Sequence, residues 1–214
     1  MMGDLKRLAL LSAVAAGIGA WLIPGATGSD PQDACIAAGG SIRYQSGTAA
    51  CEATGAGSSA IARGAGSVAR AYGGDRNMAV AIGIGANASA FWGNGNKATV
   101  RGDYSTAAAG FTDGNTATVT GDHSTAGAGF GSANVAVSNG DYDIATAWYG
   151  NHNTATVSGE DSRSFAFNGD WNTAEIDGNH SVAQAGNGNN DTASATADYC
   201  NITAFGSGLT TTCP

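Results

Sequence analysis

Starting at Gly64, glycine recurs every 19 residues, at Gly83, Gly102, Gly121, Gly140, Gly159 and Gly178. Seven consecutive units of 19 residues cover residues 64–196, preceded by a degenerate unit at 45–63 and followed by a trailing one. A fixed period of this size marks an architecture whose units cannot bury their apolar faces alone and must stack on one another.

Within a unit numbered from its glycine, position 8 is always alanine, from Ala71 to Ala185 and on to Ala204 in the trailing unit. Position 16 is alanine from Ala79 to Ala193, and position 6 is alanine except at Ser164. Position 18 carries Val100, Val119, Val157 and Ile176, with exceptions. Fixed residues two apart report strand alternation with one face inward. The spacing predicts two short strands per unit, near positions 4–8 and 14–18, separated by glycine-bearing turns. Stacking each strand on its counterpart in the next coil gives an all-β fold, a parallel β-solenoid with two short strands per coil. Seven coils at ~4.8 Å each make a rod of roughly 34 Å before its caps.

Composition agrees with that reading. The chain has 34 glycines, 3 prolines and only 12% charged residues, which suits neither a helical bundle nor a collagen-like chain. Alanine is by far the largest part of its 43% hydrophobic fraction, so the core packs small side chains at close range.

Two further columns stand out. Position 14 reads Asn77, Asn96, Asn115, Asn134, Asn153, Asn172 and then Asp191, a structural ladder in which stacked amides satisfy turn backbone groups. Positions 9 and 10 gather the aromatics. Alternation from position 8 places Trp92, Phe111, Phe130 and Tyr149, at position 10, in the interior. The position 9 residues Tyr72, Phe91, Trp148 and Phe167 then stand outside as candidate contact residues, because aromatic faces stack on sugars and anchor protein interfaces.

The N-terminus has Lys6-Arg7, an apolar run from Leu8 to Ile23, then Pro24 and the small residues Ala26-Thr27-Gly28. That is the form of an export signal covering residues 1–28. A retained anchor is the competing reading, but the apolar run is shorter than the ~20 residues of a spanning helix. No membrane association is expected once the signal is removed. Gln32-Asp33-Ala34 before Cys35 lacks the pattern of a bacterial lipoprotein site. The remaining organisation is an N-terminal cap with a degenerate coil at 29–63, seven coils at 64–196 and a C-terminal cap at 197–214.

Four cysteines follow the signal, an even count that suits disulfides in an exported chain. Cys35 and Cys51 precede the regular coils, whereas Cys200 and Cys213 follow them. A bridge needs Cα atoms within about 7 Å, and the rod holds its ends tens of Å apart. The expected pairs are therefore Cys35 with Cys51 and Cys200 with Cys213, each stapling one end of the solenoid.

Residues 76–90, Arg-Asn-Met-Ala-Val-Ala-Ile-Gly-Ile-Gly-Ala-Asn-Ala-Ser-Ala, resemble the head repeats of YadA-type trimeric autotransporter adhesins, which form β-rolls. The resemblance covers about one unit and implies a solenoid and an adhesive role. As a whole the chain resembles small exported repeat proteins of actinobacteria, of a mycobacterial type.

Formal net charge is −8, which makes nucleic acid a poor partner. Position 2 is acidic in most later units, with Asp103, Asp122, Asp141 and Glu160. Such a column either stands solvated at a turn or collects calcium, although the paired glycines of RTX-type calcium repeats are missing here. Threonines at positions 15, 17 and 19, among them Thr116, Thr118 and Thr120, resemble the arrays by which solenoids present a surface to ice. Lys97, Arg101, Glu175 and Asp177 interrupt that array. His123, His152 and His180 do not converge, and no Ser-His-acid set falls within one coil, so no catalytic residue is expected. The expected function is a secreted or cell-surface structural or adhesive rod without catalytic activity or cofactor. It contacts a protein or glycan through exposed ladders, with calcium or ice as the alternative ligand and homo-oligomerisation through a flat face as a further option.

Overall fold

The computed structural model describes residues 33–214, so the export signal expected over residues 1–28 lies outside the described residues. Twenty short strands follow one another. They begin with β1 (Ala34–Ala38), β2 (Ser41–Ser46), β3 (Ala50–Ala53), β4 (Ser59–Arg63), β5 (Val68–Tyr72), β6 (Met78–Ile82) and β7 (Asn87–Phe91). The central set is β8 (Lys97–Arg101), β9 (Thr106–Gly110), β10 (Thr116–Thr120), β11 (Thr125–Gly129), β12 (Val135–Asn139), β13 (Ile144–Trp148) and β14 (Thr154–Ser158). The last are β15 (Arg163–Phe167), β16 (Thr173–Asp177), β17 (Val182–Gly186), β18 (Thr192–Ala195), β19 (Asn201–Phe205) and β20 (Thr210–Cys213).

These strands form a parallel β-solenoid of about nine coils. One sheet has nine strands, the odd-numbered β3 to β19, and the other has eleven, the even-numbered β4 to β20 extended by β1 and β2. The register steps by one repeat, as where Lys97 pairs with Thr116 and Thr116 with Val135. The strands occupy positions 5–9 and 15–19, one residue later than the expected spans. The reason is that positions 4 and 14 turn inward and use their side chains to close the corners rather than to continue a ladder.

The interior is two pairs of alanine columns facing each other, with Ala69, Ala71, Ala79 and Ala81 all at 0% exposure. Val100, Val119, Val157 and Ile176 provide the larger buried side chains. Where Ser164 replaces alanine, its hydroxyl donates to the carbonyl of Ala174 at 2.7 Å, so the polar substitution is satisfied across the core. Glycine at position 1 is a steric requirement. At Gly102 (φ +156°) a Cβ would land on the carbonyl oxygen of Gly121 in the next coil.

A disulfide staples each end, and the N-terminal end also has a covering strand pair. At the N-terminus β1 turns back through Gly39 and Gly40 into β2 and pairs antiparallel with β4, an arrangement that covers the first parallel edge. Cys35 on β1 bridges Cys51 on β3 with Cα atoms 5.6 Å apart, and Cys200 bridges Cys213 on β20 at 6.4 Å. Each bridge ties one sheet to the other where the alanine columns end. Two such bridges suit an oxidising, extracellular environment. Among the described residues no helix is long and apolar enough to cross a membrane.

Candidate functional site

The corners are built by hydrogen-bonded side-chain columns. At position 14, Asn77 Oδ1 accepts the N–H of Asn96 at 2.9 Å, and the same bond links Asn96 to Asn115 and Asn115 to Asn134. It continues through Asn153 and Asn172 to Asp191. Nδ2 groups donate to backbone carbonyls, as from Asn77 to Gly93 at 2.8 Å, except at Asn153, whose buried Nδ2 faces no acceptor. Every one of these asparagines is buried. Position 4 repeats the device with serine: Ser124 Oγ accepts the N–H of Asp143 and donates to the carbonyl of Gly140.

The position 2 acids act in the same way on the outer side of the turn. Asp122 Oδ1 accepts the N–H of Asp103 at 2.7 Å, and Asp141 Oδ1 accepts that of Asp122. Asp103 does the same for Ile84. Glu160, exposed at the turn, interrupts the run, which resumes where Asp198 Oδ1 accepts the N–H of Asn179 at 2.7 Å. One oxygen of each of these aspartates is thereby used on backbone, and among the described residues no group of three or more His, Cys, Asp or Glu could hold a metal ion. A matching column at position 12, absent from the sequence reading, joins Asp75 N–H to Asn94 Oδ1 and Asn94 N–H to Asp113 Oδ1. It was hidden by its mixed Asp, Asn and Ser composition.

The aromatic column differs from its expected form in one respect. Trp92, Phe111, Phe130 and Tyr149 do not fill the interior; they are exposed at 55, 36, 38 and 53%. The strand ends at position 9, and these residues take left-handed φ values of 43, 69, 52 and 56°. That reversal cancels the alternation, so positions 9 and 10 both project outward. Tyr72, Phe91, Trp148 and Phe167 are half-buried on the outer face of the nine-stranded sheet.

Together they make an aromatic ridge along the rod. Tyr72 stacks on Phe91 at 5.8 Å, and Phe91 meets Trp92 and Phe111 edge to face. Phe111 stacks on Phe130 at 3.9 Å, and Phe130 contacts both Trp148 and Tyr149. Glycine makes room for the rings that lie down on the sheet. A Cβ at Gly127 would stand 3.0 Å from Trp148 Nε1, and one at Gly110 would stand 2.8 Å from the ring of Phe91. Farther along, Phe167 meets Phe205 at 5.7 Å.

The three histidines lie apart from this ridge, on turns and in left-handed conformation. His123 is sandwiched between Tyr104 and Tyr142, His152 stacks on Trp171, and His180 stacks on Tyr199. His180 Nδ1 also lies 3.5 Å from Asp161 Oδ2. The geometry therefore offers exposed stacked rings and backbone-capping carboxyls. Compared with protein-family models, curated proteins and solved structures, the chain matches none.

Proposed function

We propose that this protein is a secreted or cell-surface binding rod, non-catalytic, that holds an extended glycan along its aromatic ridge. The observation that carries the reading is the unbroken run of ring contacts from Tyr72 to Tyr149, aligned with the rod axis at the strand spacing. Aromatic faces suit the apolar faces of sugar rings, and rings held by their neighbours lose little entropy on binding. Trp92 and Trp148, lying on either side of the Phe111–Phe130 stack, are the expected anchors. The resemblance of residues 76–90 to adhesin head repeats favours the same reading, as does an oxidising compartment.

The test is binding of the purified protein to insoluble polysaccharides and to a glycan array, followed by tryptophan fluorescence. Trp92→Ala combined with Trp148→Ala should weaken glycan binding by roughly tenfold or more while the far-ultraviolet spectrum stays unchanged. A protein that retains no glycan, or a folded double variant that binds like the parent, overturns the reading.

A further inference from the structure

The outer face of the eleven-stranded sheet carries a charge pattern that its own reversal complements. On β8, Lys97 and Arg101 are exposed, and on β16, Glu175 and Asp177 are exposed. Sheet order places β10, β12 and β14 between them. The outward residues of those three strands are uncharged, with Thr116, Thr118 and Thr120 on β10 and Val135 and Val137 on β12. The charges are thus two strands to either side of a central β12. The pattern belongs to a wider polarity of the rod: among the described residues, all basic residues except Arg163 lie at or before Arg101, and all acidic residues but Asp33, Glu52 and Asp75 lie after it.

We propose that this face is a two-fold interface between two copies of the chain, packed face to face with their rod axes antiparallel. The symmetry axis runs along β12. Rotation about it preserves position along the strand and inverts strand order, so β8 of one copy lies over β16 of the other. Arg101 and Asp177 both occupy position 19 and therefore oppose each other, while Lys97 at position 15 reaches Glu175 at position 17. Val137 meets its own symmetry mate at the centre. The alternative axis along the rod would place β8 over β8 and bring Lys97 against Arg101, so charge selects the antiparallel arrangement.

The area is sufficient. The seven strands from β6 to β18 overlap completely in this arrangement. At ~4.8 Å between strands and ~3.3 Å per residue over about five residues they cover roughly 550 Å² per copy, or about 1,100 Å² for the pair. A specific interface needs about 1,000 Å², so the dimer should form and should weaken in salt.

Sedimentation velocity on the full folded chain tests this, at low and high salt and over a range of concentrations. The parent should sediment as a concentration-dependent dimer at low salt. Arg101→Asp and Asp177→Arg should each shift it at least tenfold toward monomer, and the two together should restore the dimer. Val137→Cys, with both native disulfides verified, should cross-link to itself on oxidation. A parent that stays monomeric at low salt overturns the proposal and leaves the threonine face to another occupant, ice among them. A dimer indifferent to both folded single variants, or a double variant that does not recover, overturns it as well. None of these outcomes bears on the aromatic ridge, which lies on the other sheet.

Discussion

Asp143 Oδ1 accepts the backbone N–H of Ser162 at 3.0 Å, while Asp143 Oδ2, fully buried, faces no donor. The residue occupies a position held by serine in the coils on either side. There Ser124 and Ser162 each donate a hydroxyl to the glycine carbonyl 16 residues on, Gly140 and Gly178. An ionised carboxylate has no proton to offer the corresponding carbonyl of Gly159. Burial, and after it the nearby charges of Asp141, Asp161 and Glu160, raise the Asp143 pKa to about 6 against the opposing bond from Ser162.

The sign of the pH dependence follows. The folded chain keeps this proton at pH values where the unfolded chain, with a pKa near 3.8, has released it. The contribution to stability is full below that value and is lost as pH rises through about 6. Asp143→Ser, which recreates the neighbouring coils, should be more stable than the parent above pH 7, by up to about 3 kcal/mol. The difference should shrink as pH falls from 6 toward 4. Urea melts of both proteins at several pH values check this, and a difference that grows in acid contradicts it.

Asn115 sits mid-ladder, accepting the N–H of Asn134 at 3.0 Å and donating to the carbonyl of Gly110 at 3.1 Å. Asn115→Ala leaves both buried backbone groups without a partner. The expected loss is about 3 kcal/mol, since each such orphan costs ~1–3 kcal/mol. Chemical denaturation measures it, and a loss under about 0.5 kcal/mol, the size of an ordinary surface change, would show that the ladder is dispensable.

Ala133 has φ +58° at a position that Gly95 and Gly114 fill in the two preceding coils. A side chain in this region costs ~1–2 kcal/mol, partly offset by the greater freedom glycine gains on unfolding. Ala133→Gly should therefore raise stability by about 0.5–1 kcal/mol. The same substitution at the right-handed or extended alanines of the core should do the opposite, which makes Ala117→Gly a matched control in one thermal melt series.

Removing the Cys35–Cys51 bridge alone, by Cys35→Ala with Cys51→Ala, should loosen one end only. Removing a link across 16 residues costs roughly 3 kcal/mol on a loop-entropy estimate. In a stacked array each coil contacts only its neighbours, so the loss stays local. Hydrogen exchange should accelerate in β1 to β3 of that variant and remain slow in β10 to β14 and at the bridged C-terminal end. Uniform acceleration throughout would mean that the rod unfolds as one unit.

Much of this architecture was legible because a coil and a repeat are the same length. The 19-residue spacing that brings Ala79 back as Ala98 and Ala117 is the spacing at which β6, β8 and β10 pair. Cysteine pairing followed from rod length alone. The position of the aromatic side chains did not follow, because binary alternation carries no information about the sign of φ. A clue was present at the ends of that column, where Gly73, Asn168, Asn187 and Gly206 hold the position taken by Trp92 and Tyr149. Glycine and asparagine tolerate the left-handed conformation, and the rings between them are forced into it by the coil above and below.

By itself, then, the sequence determined the period, the parallel stacking, the alanine interior and the disulfide pairs, all of which are set by residue spacing and chain length. Tertiary structure decided which side of each corner its residues occupy: whether Phe111 and Phe130 stack inside or outside, and that the acids at Asp103 and Asp122 cap backbone. It also decided that Lys97 and Arg101 share a face with Glu175 and Asp177, four coils away. Those outcomes depend on turn dihedrals and on the juxtaposition of successive coils, and both exist only once the chain has closed around its core.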